Sequence, residues 1–173
     1  PQINVVLSDG QSLRLEPVDI DISDLEDDYN LLYGNGFEEW RVEVLNTLTN
    51  KHSGLLLIHG PPGTGKTTWL RMLAKELAEK KRLVFLTKSL AGSVGSPQLL
   101  SSILNWSREG LPLVFVIEDA ESMITKRSGM DPFGSDLVSL ILNLTDGLLN
   151  DVAKVQIIAT FNTSLDEVDD ALR

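Results

Sequence analysis

Gly60-Pro61-Pro62-Gly63-Thr64-Gly65-Lys66-Thr67 has the residue types and spacing of a loop that holds phosphate, G-x-x-x-x-G-K-[ST]. Backbone N–H groups that converge on a phosphate need conformations that side chains obstruct, which is why glycines recur in the run. The N-terminus of a following helix adds partial positive charge at the same point. Lys66 can reach β- and γ-phosphate oxygens, the Thr67 hydroxyl is a Mg²⁺ ligand, and Thr68 adds a backbone N–H. A cradle alone binds; hydrolysis also needs a metal anchor and an aligned water. Glu118-Asp119 supplies two neighbouring carboxylates for those tasks, one in the Mg²⁺ shell and the other polarising the attacking water. Glu121 reads as a helix cap or an exposed side chain. Asn162 offers an amide that could orient water between the acidic pair and the γ-phosphate.

These residues are useful only if the elements between them bring them together. Leu55–His59 reads as a short apolar strand, Thr67–Arg82 as a helix and Leu83–Thr87 as a second strand. Ser96 and Pro97 are an N-cap and a first helical residue, opening a helix over Gln98–Arg108. Leu113–Ile117 is a third strand. A Gly/Pro/Ser-rich loop at Thr125–Ser135 leads to a helix from Asp136 to about Leu149, then to a fourth strand at Val155–Phe161. Another helix begins at Leu165–Leu172. Buried strands alternating with helices predict a parallel sheet covered on both faces. In such a sheet the carboxyl ends of the strands converge on one crevice, so Glu118, Asp119 and Asn162 can face Lys66 and Thr67.

The preceding residues have a different character. Ile3–Leu7 and Ser12–Leu15 flank Asp9-Gly10, the signature of a turn between two strands. Asp19–Asp28 reads as an exposed acidic connector. Phe37, Trp40, Val44, Leu45 and Leu48 share one face of a helix running from Phe37 to about Lys51. The expected division is a small β element with its connector at 1–30 and a nucleotide-binding core at 31–173. Among the remaining residues, His59 reads as strand-end packing, Trp69 as core, and Lys126 and Arg127 as solvated loop. Lys75, Lys80, Lys81 and Arg82 read as the solvated end of a helix.

Composition excludes several classes of chemistry. The 173 residues contain no cysteine, which excludes disulfide frameworks, thiolate catalysis and thiolate zinc sites. The two histidines, His52 and His59, are too few for a His-based metal cluster. No apolar run approaches a membrane span and no basic-then-apolar leader opens the chain, so the expected compartment is cytoplasmic. The net charge of −10 is unevenly distributed. Acidic residues outnumber basic ones eleven to two in residues 1–50 and eleven to four in 111–173, whereas basic residues lead nine to three in 51–110. Such a chain repels nucleic acid at long range, and its one basic block surrounds the glycine-rich loop.

Taken together, the motifs resemble those of the AAA subgroup of AAA+ ATPases over about residues 37–173. Gly60–Thr68 resembles the family's Walker A, Val114–Asp119 its Walker B, Ala159–Asn162 its sensor 1 strand, and Leu165–Arg173 the approach to its arginine-finger segment. The resemblance implies a three-layer αβα P-loop core, ATP as nucleotide, and a homo-oligomeric ring, usually hexameric, that remodels a protein substrate. It stops at Arg173, where the family's trans-acting arginines, fifth strand and helical lid with its sensor 2 arginine would follow. The family's Walker B ends Asp-Glu; here the order is Glu118-Asp119, which by register puts Glu118 at the metal and Asp119 at the base. That inversion resembles the branch of the mitochondrial respiratory-complex assembly ATPase. The stretch Lys88-Ser89-Leu90-Ala91-Gly92 lacks the aromatic residue with which the family's unfoldases grip substrate. A nucleotide-binding switch or scaffold with little hydrolysis, and a small-molecule phosphotransferase on the same core, are the alternatives.

Overall fold

The computed structural model describes residues 1–25, 28–87, 90, 96–121, 139–144, 150–162, 164 and 166. Its centre is β5 (Leu113–Ile117), whose five residues are all buried. Alternate side chains of this strand enter two separate cores. Leu113, Phe115 and Ile117 pack on one face with Leu99 and Ile103 of α4 (Pro97–Ser107) and with Ile141 and Leu144 from the helical residues 139–144. Val114 and Val116 pack on the other face with Leu70, Leu73 and Leu77 of α3 (Lys66–Leu77) and Val44 and Leu48 of α2 (Phe37–Asn50). A period-two strand buried on both sides is what a parallel sheet between two helical layers requires.

Among the described residues the sheet has six strands in the order β2-β1-β4-β5-β6-β3. The strands not yet placed are β1 (Gln2–Ser8), β2 (Leu13–Asp19), β3 (Gly54–His59), β4 (Arg82–Leu86) and β6 (Val155–Phe161). All pairings are parallel except β1 with β2. Register places Ile117 beside Ala159 and His59 beside Phe161, so β5, β6 and β3 finish at neighbouring points. The five-residue helix α1 (Tyr29–Tyr33) precedes α2, and the short helix α5 (Asn150–Ala153) leads into β6. Among the described residues no helix is long and apolar enough to cross a membrane.

The N-terminal hairpin lies in the same sheet, with β1 pairing β4 through Asn4 and Val5. Its turn is fastened by Asp9, whose Oδ1 accepts from the backbone N–H groups of Gln11 (2.9 Å) and Ser12 (2.7 Å). Those bonds hold the Asp9 carboxyl below its ordinary pKa. The second strand runs to Asp19 rather than ending near Leu15, because Pro17 sits on the outermost strand, where a missing ladder donor is tolerated.

The helix after the glycine loop ends at Leu77, earlier than its Leu/Ala/Lys/Glu pattern suggests, and the structure corrects the reading of the basic residues that follow. Lys75 and Lys80 are exposed, but Lys81 is only 3% exposed. Its ammonium donates to the Lys51 carbonyl at 2.9 Å, capping the end of α2. Burial pushes the Lys81 pKa down. Arg82 likewise turns inward, donating to the carbonyls of Trp106 and Glu109. The chain turns after Leu77, whose carbonyl accepts from the N–H groups of both Lys80 and Lys81. At α4 the structure agrees with the sequence: Ser96 Oγ accepts from Leu99 N at 3.2 Å, with Pro97 in the first turn.

Several sequence expectations fall outside the described residues: the 88–92 loop apart from Leu90, Lys126 and Arg127 with the loop around them, the 136–149 helix apart from 139–144, and the 165–173 stretch apart from Asp166.

Candidate functional site

Three strand ends build the site. The glycine loop leaves β3 and is tied back to β6 by Gly60 N, which donates to the Phe161 carbonyl at 3.2 Å. Gly63 and Gly65 have φ of +80° and +85°, the left-handed region that glycine enters freely. Gly65 is doubly constrained, since a Cβ there would lie 3.0 Å from the Tyr33 ring and hydroxyl. Gly65 is also the N-cap of α3, so Lys66, Thr67 and Thr68 occupy the helix's first turn, where unpaired N–H groups and the helix dipole favour an anion.

Lys66 folds back over its own loop. Its ammonium donates to the carbonyls of Gly60 (2.6 Å) and Pro61 (3.0 Å). Thr64 Oγ1 also donates to the Pro61 carbonyl, at 2.9 Å. The cation is therefore held by neutral oxygens, which a phosphate oxygen can replace as the stronger, charged acceptor. Pro62, Gly63, Gly65, Lys66, Thr67 and Thr68 line one wall of an open crevice of about 470 Å³, and Asp119 and Asn162 line the other.

Across that crevice, the Thr67 hydroxyl donates to Glu118 Oε1 at 2.7 Å, a contact between residues 51 positions apart. An alcohol oxygen and a carboxylate oxygen already paired are the hard donors that Mg²⁺ takes together with phosphate and water. Asp119 has a φ of +50°, unusual for a residue with a side chain although less so for Asp. Its N–H donates to Thr160 Oγ1 at 3.3 Å, and the next N–H, of Ala120, to the Thr160 carbonyl at 2.8 Å. These bonds to buried Thr160 hold the backbone turn just after β5. Asn162 Nδ2 donates to Asp119 Oδ1 at 3.3 Å, so the third motif touches the second.

Of the residues singled out from the sequence, eight line this crevice and Glu118 is bonded to one of them, Thr67, while Gly60 and Thr64 line a hollow on the other side of the loop. Two others join them that sequence reasoning undervalued. Glu121 Oε1 accepts from Asn162 N at 2.6 Å and from Asn162 Nδ2 at 2.5 Å. Tyr33 donates its hydroxyl to the Gly65 carbonyl at 2.8 Å, and burial raises its pKa. Tyr33 heads an aromatic series: it stacks on Phe37 at 4.2 Å, followed by Phe37–Trp40 at 5.1 Å and Trp40–Trp69 at 5.2 Å. The i, i+4 spacing of Tyr33 and Phe37 was visible in the sequence; the bond to Gly65 was not. Trp69 is core, as its helical position suggested. His59 is exposed, with its ring stacked on buried Phe161 at 5.9 Å. A second hollow of about 450 Å³ lies on the Tyr33 side of the loop, bounded by Tyr33, His59, Gly60 and Trp69.

Known proteins resemble this chain in sequence. Residues 56–173 match the family model described as "ATPase family associated with various cellular activities (AAA)". The chain is 30% identical over 152 residues to human ATPase family AAA domain-containing protein 2, an alignment covering 84% of this chain and 10% of that protein. It is 32% identical over 121 residues to ATPase family gene 2 protein of Saccharomyces cerevisiae, covering 68% of the chain and 15% of the relative. With Peroxisomal ATPase PEX6 of the same yeast it shares 31% identity over 144 residues, covering 75% and 13%. The chain therefore spans only a small part of the length of these relatives.

Proposed function

This chain belongs to the AAA family of ATPases, and from that premise we propose that it is a Mg²⁺-dependent ATP-hydrolysing module that drives remodelling of a protein partner within a ring of like subunits. At the level of the family it is an ATP-binding AAA module. The observation that carries the proposal further is the Thr67–Glu118 bond of 2.7 Å, which joins the phosphate loop to the first of the two acids. In this assignment residues 31–173 are the nucleotide-binding core and residues 1–30 are a β element with its acidic connector, the hairpin of β1 and β2 extending the sheet.

The roles follow from the atoms present. The loop N–H groups and the first turn of α3 cradle the phosphates. Lys66 exchanges the carbonyls of Gly60 and Pro61 for phosphate oxygens. Thr67 and Glu118 would hold Mg²⁺, and Asp119 lines the same crevice. The ion, when bound, neutralises charge on the β- and γ-phosphates. Asp119 orients the attacking water and accepts its proton, and Asn162 fixes that water from the β6 side. An arginine from a neighbouring subunit completes the charge stabilisation, worth several kcal/mol in related systems.

Phosphate release from ATP by the native protein, with Mg²⁺ and with EDTA, tests the proposal. Turnover that requires Mg²⁺ is expected. Tight nucleotide binding with no Mg²⁺-dependent release would replace the proposal with a switch or scaffold. Transfer to a small-molecule acceptor that survives Asn162→Ala would replace it with a phosphotransferase.

A further inference from the structure

Resting on that functional proposal, we infer that Glu121 is a positioning residue for the reaction, acting through Asn162. One oxygen of its carboxylate, Oε1, accepts from both donors of the asparagine: the main-chain N–H at 2.6 Å and the amide Nδ2 at 2.5 Å. These are charge-assisted bonds, shorter and stronger than those between neutral groups. The partners lie 41 residues apart, one just after β5 and the other just after β6, so the bonds also join the two strand tips that face the phosphate loop.

The chemical consequence concerns the amide. An asparagine side chain presents two N–H donors on one side and a carbonyl acceptor on the other, and its ends are close to interchangeable in shape. A carboxylate accepts and donates nothing. With Glu121 beside it, the amide must place its NH₂ group toward the acids, and a flipped amide would set two acceptors against each other. One amide N–H is then committed to Glu121. The same nitrogen lies 3.3 Å from Asp119 Oδ1, leaving its second hydrogen directed toward Asp119, the group assigned above to the attacking water. The backbone bond fixes where the residue stands, and the side-chain bond fixes which way its amide faces. Glu121 therefore sets the orientation of a catalytic amide without itself touching substrate.

The test is steady-state ATP hydrolysis by the native protein and by Glu121→Gln, Glu121→Asp, Asn162→Ala and the Glu121→Gln/Asn162→Ala double variant, with nucleotide affinity measured in parallel. Glutamine preserves shape but can accept or donate, so it releases the amide to flip. Glu121→Gln is expected to lower kcat about 10- to 100-fold, the range for residues that orient a catalytic group, with KM and nucleotide affinity changed less than about twofold. Glu121→Asp keeps the acceptor one methylene short and should recover part of the loss. In the Asn162→Ala background, Glu121→Gln should change kcat less than about twofold, because its route of action is gone. Wild-type kcat in Glu121→Gln, or an equal loss in both backgrounds, overturns the inference. A raised KM with unchanged kcat overturns it too. If Glu121→Gln fails to fold, Glu121→Asp in the two backgrounds carries the same comparison. A native protein that binds ATP and never cleaves it overturns the functional proposal and this inference together; an active native protein indifferent to Glu121→Gln overturns this inference alone.

Discussion

The two walls of the crevice hold their central polar side chains, Lys66 and Asn162, in opposite ways. On the loop wall, Lys66 is satisfied by carbonyls five and six residues away, so its bonds are local and made to neutral oxygens. On the strand-tip wall, Asn162 is gripped by carboxylates 41 and 43 residues away, through bonds to charged oxygens at 2.5 to 3.3 Å. The loop wall can exchange its partners for phosphate at little cost, as a binding surface must. The strand-tip wall keeps its donors aimed before any ligand arrives, as pre-organised chemistry requires. Binding and cleavage should therefore come apart under mutation.

The largest effect on the loop wall is expected from Lys66→Ala. Removing a charged donor to phosphate costs about 1.5–3 kcal/mol, or roughly 10- to 150-fold in nucleotide affinity. Titration with a fluorescent ATP analogue measures it. Undiminished affinity would break the contrast between the walls.

Gly65→Ala should be next. Forcing a side chain into φ +85° costs about 1–2 kcal/mol, and its Cβ would press on the Tyr33 ring. The expected outcome is a lowered thermal midpoint together with weaker nucleotide binding. A midpoint equal to that of the native protein would mean that the loop is less constrained than its geometry implies.

Tyr33→Phe sharpens the comparison most finely, deleting one bond to the loop for about 0.5–1.5 kcal/mol of stability, read by denaturant unfolding. Its pH dependence has a definite sign. Burial raises the Tyr33 pKa above the ordinary value of 10.0, so above that pH the unfolded state binds fewer protons than the folded one and stability falls as pH rises. Lys81, lowered by burial, acts in the opposite sense below its ordinary value of 10.5. The difference between native protein and Tyr33→Phe is therefore the quantity to follow. It should shrink as pH rises through the folded-state pKa of Tyr33.

The same contrast explains what was legible in the sequence. The glycine loop is one contiguous run with a mechanism attached to each residue type, so Gly60 to Thr68 could be read directly. Glu118, Asp119 and Asn162 could be placed because parallel strands must end side by side. Glu121 could not be ranked, because its significance lies in bonds to a residue 41 positions away, and nothing local separates it from a helix cap. Lys81 and Arg82 misled for a related reason. Basic residues after a Leu/Ala-rich helix usually point to water, and only the packed structure reveals the carbonyls of Lys51, Trp106 and Glu109 waiting inside. Pro17 hid four residues of strand because its tolerance depends on β2 being the outermost strand, a fact of topology.

The central claim is that one wall binds and the other cleaves, with Asp119 as the group that acts on water. The most direct measurement is single-turnover cleavage of pre-bound ATP with Mg²⁺, comparing the native protein with Asp119→Asn, with nucleotide affinity measured on the same samples. Asp119→Asn is expected to keep native-like affinity and to cleave about 100-fold or more slowly, the range for loss of a general base. Cleavage by Asp119→Asn at the native rate, or a rate fall matched by an equal fall in affinity, would contradict the claim.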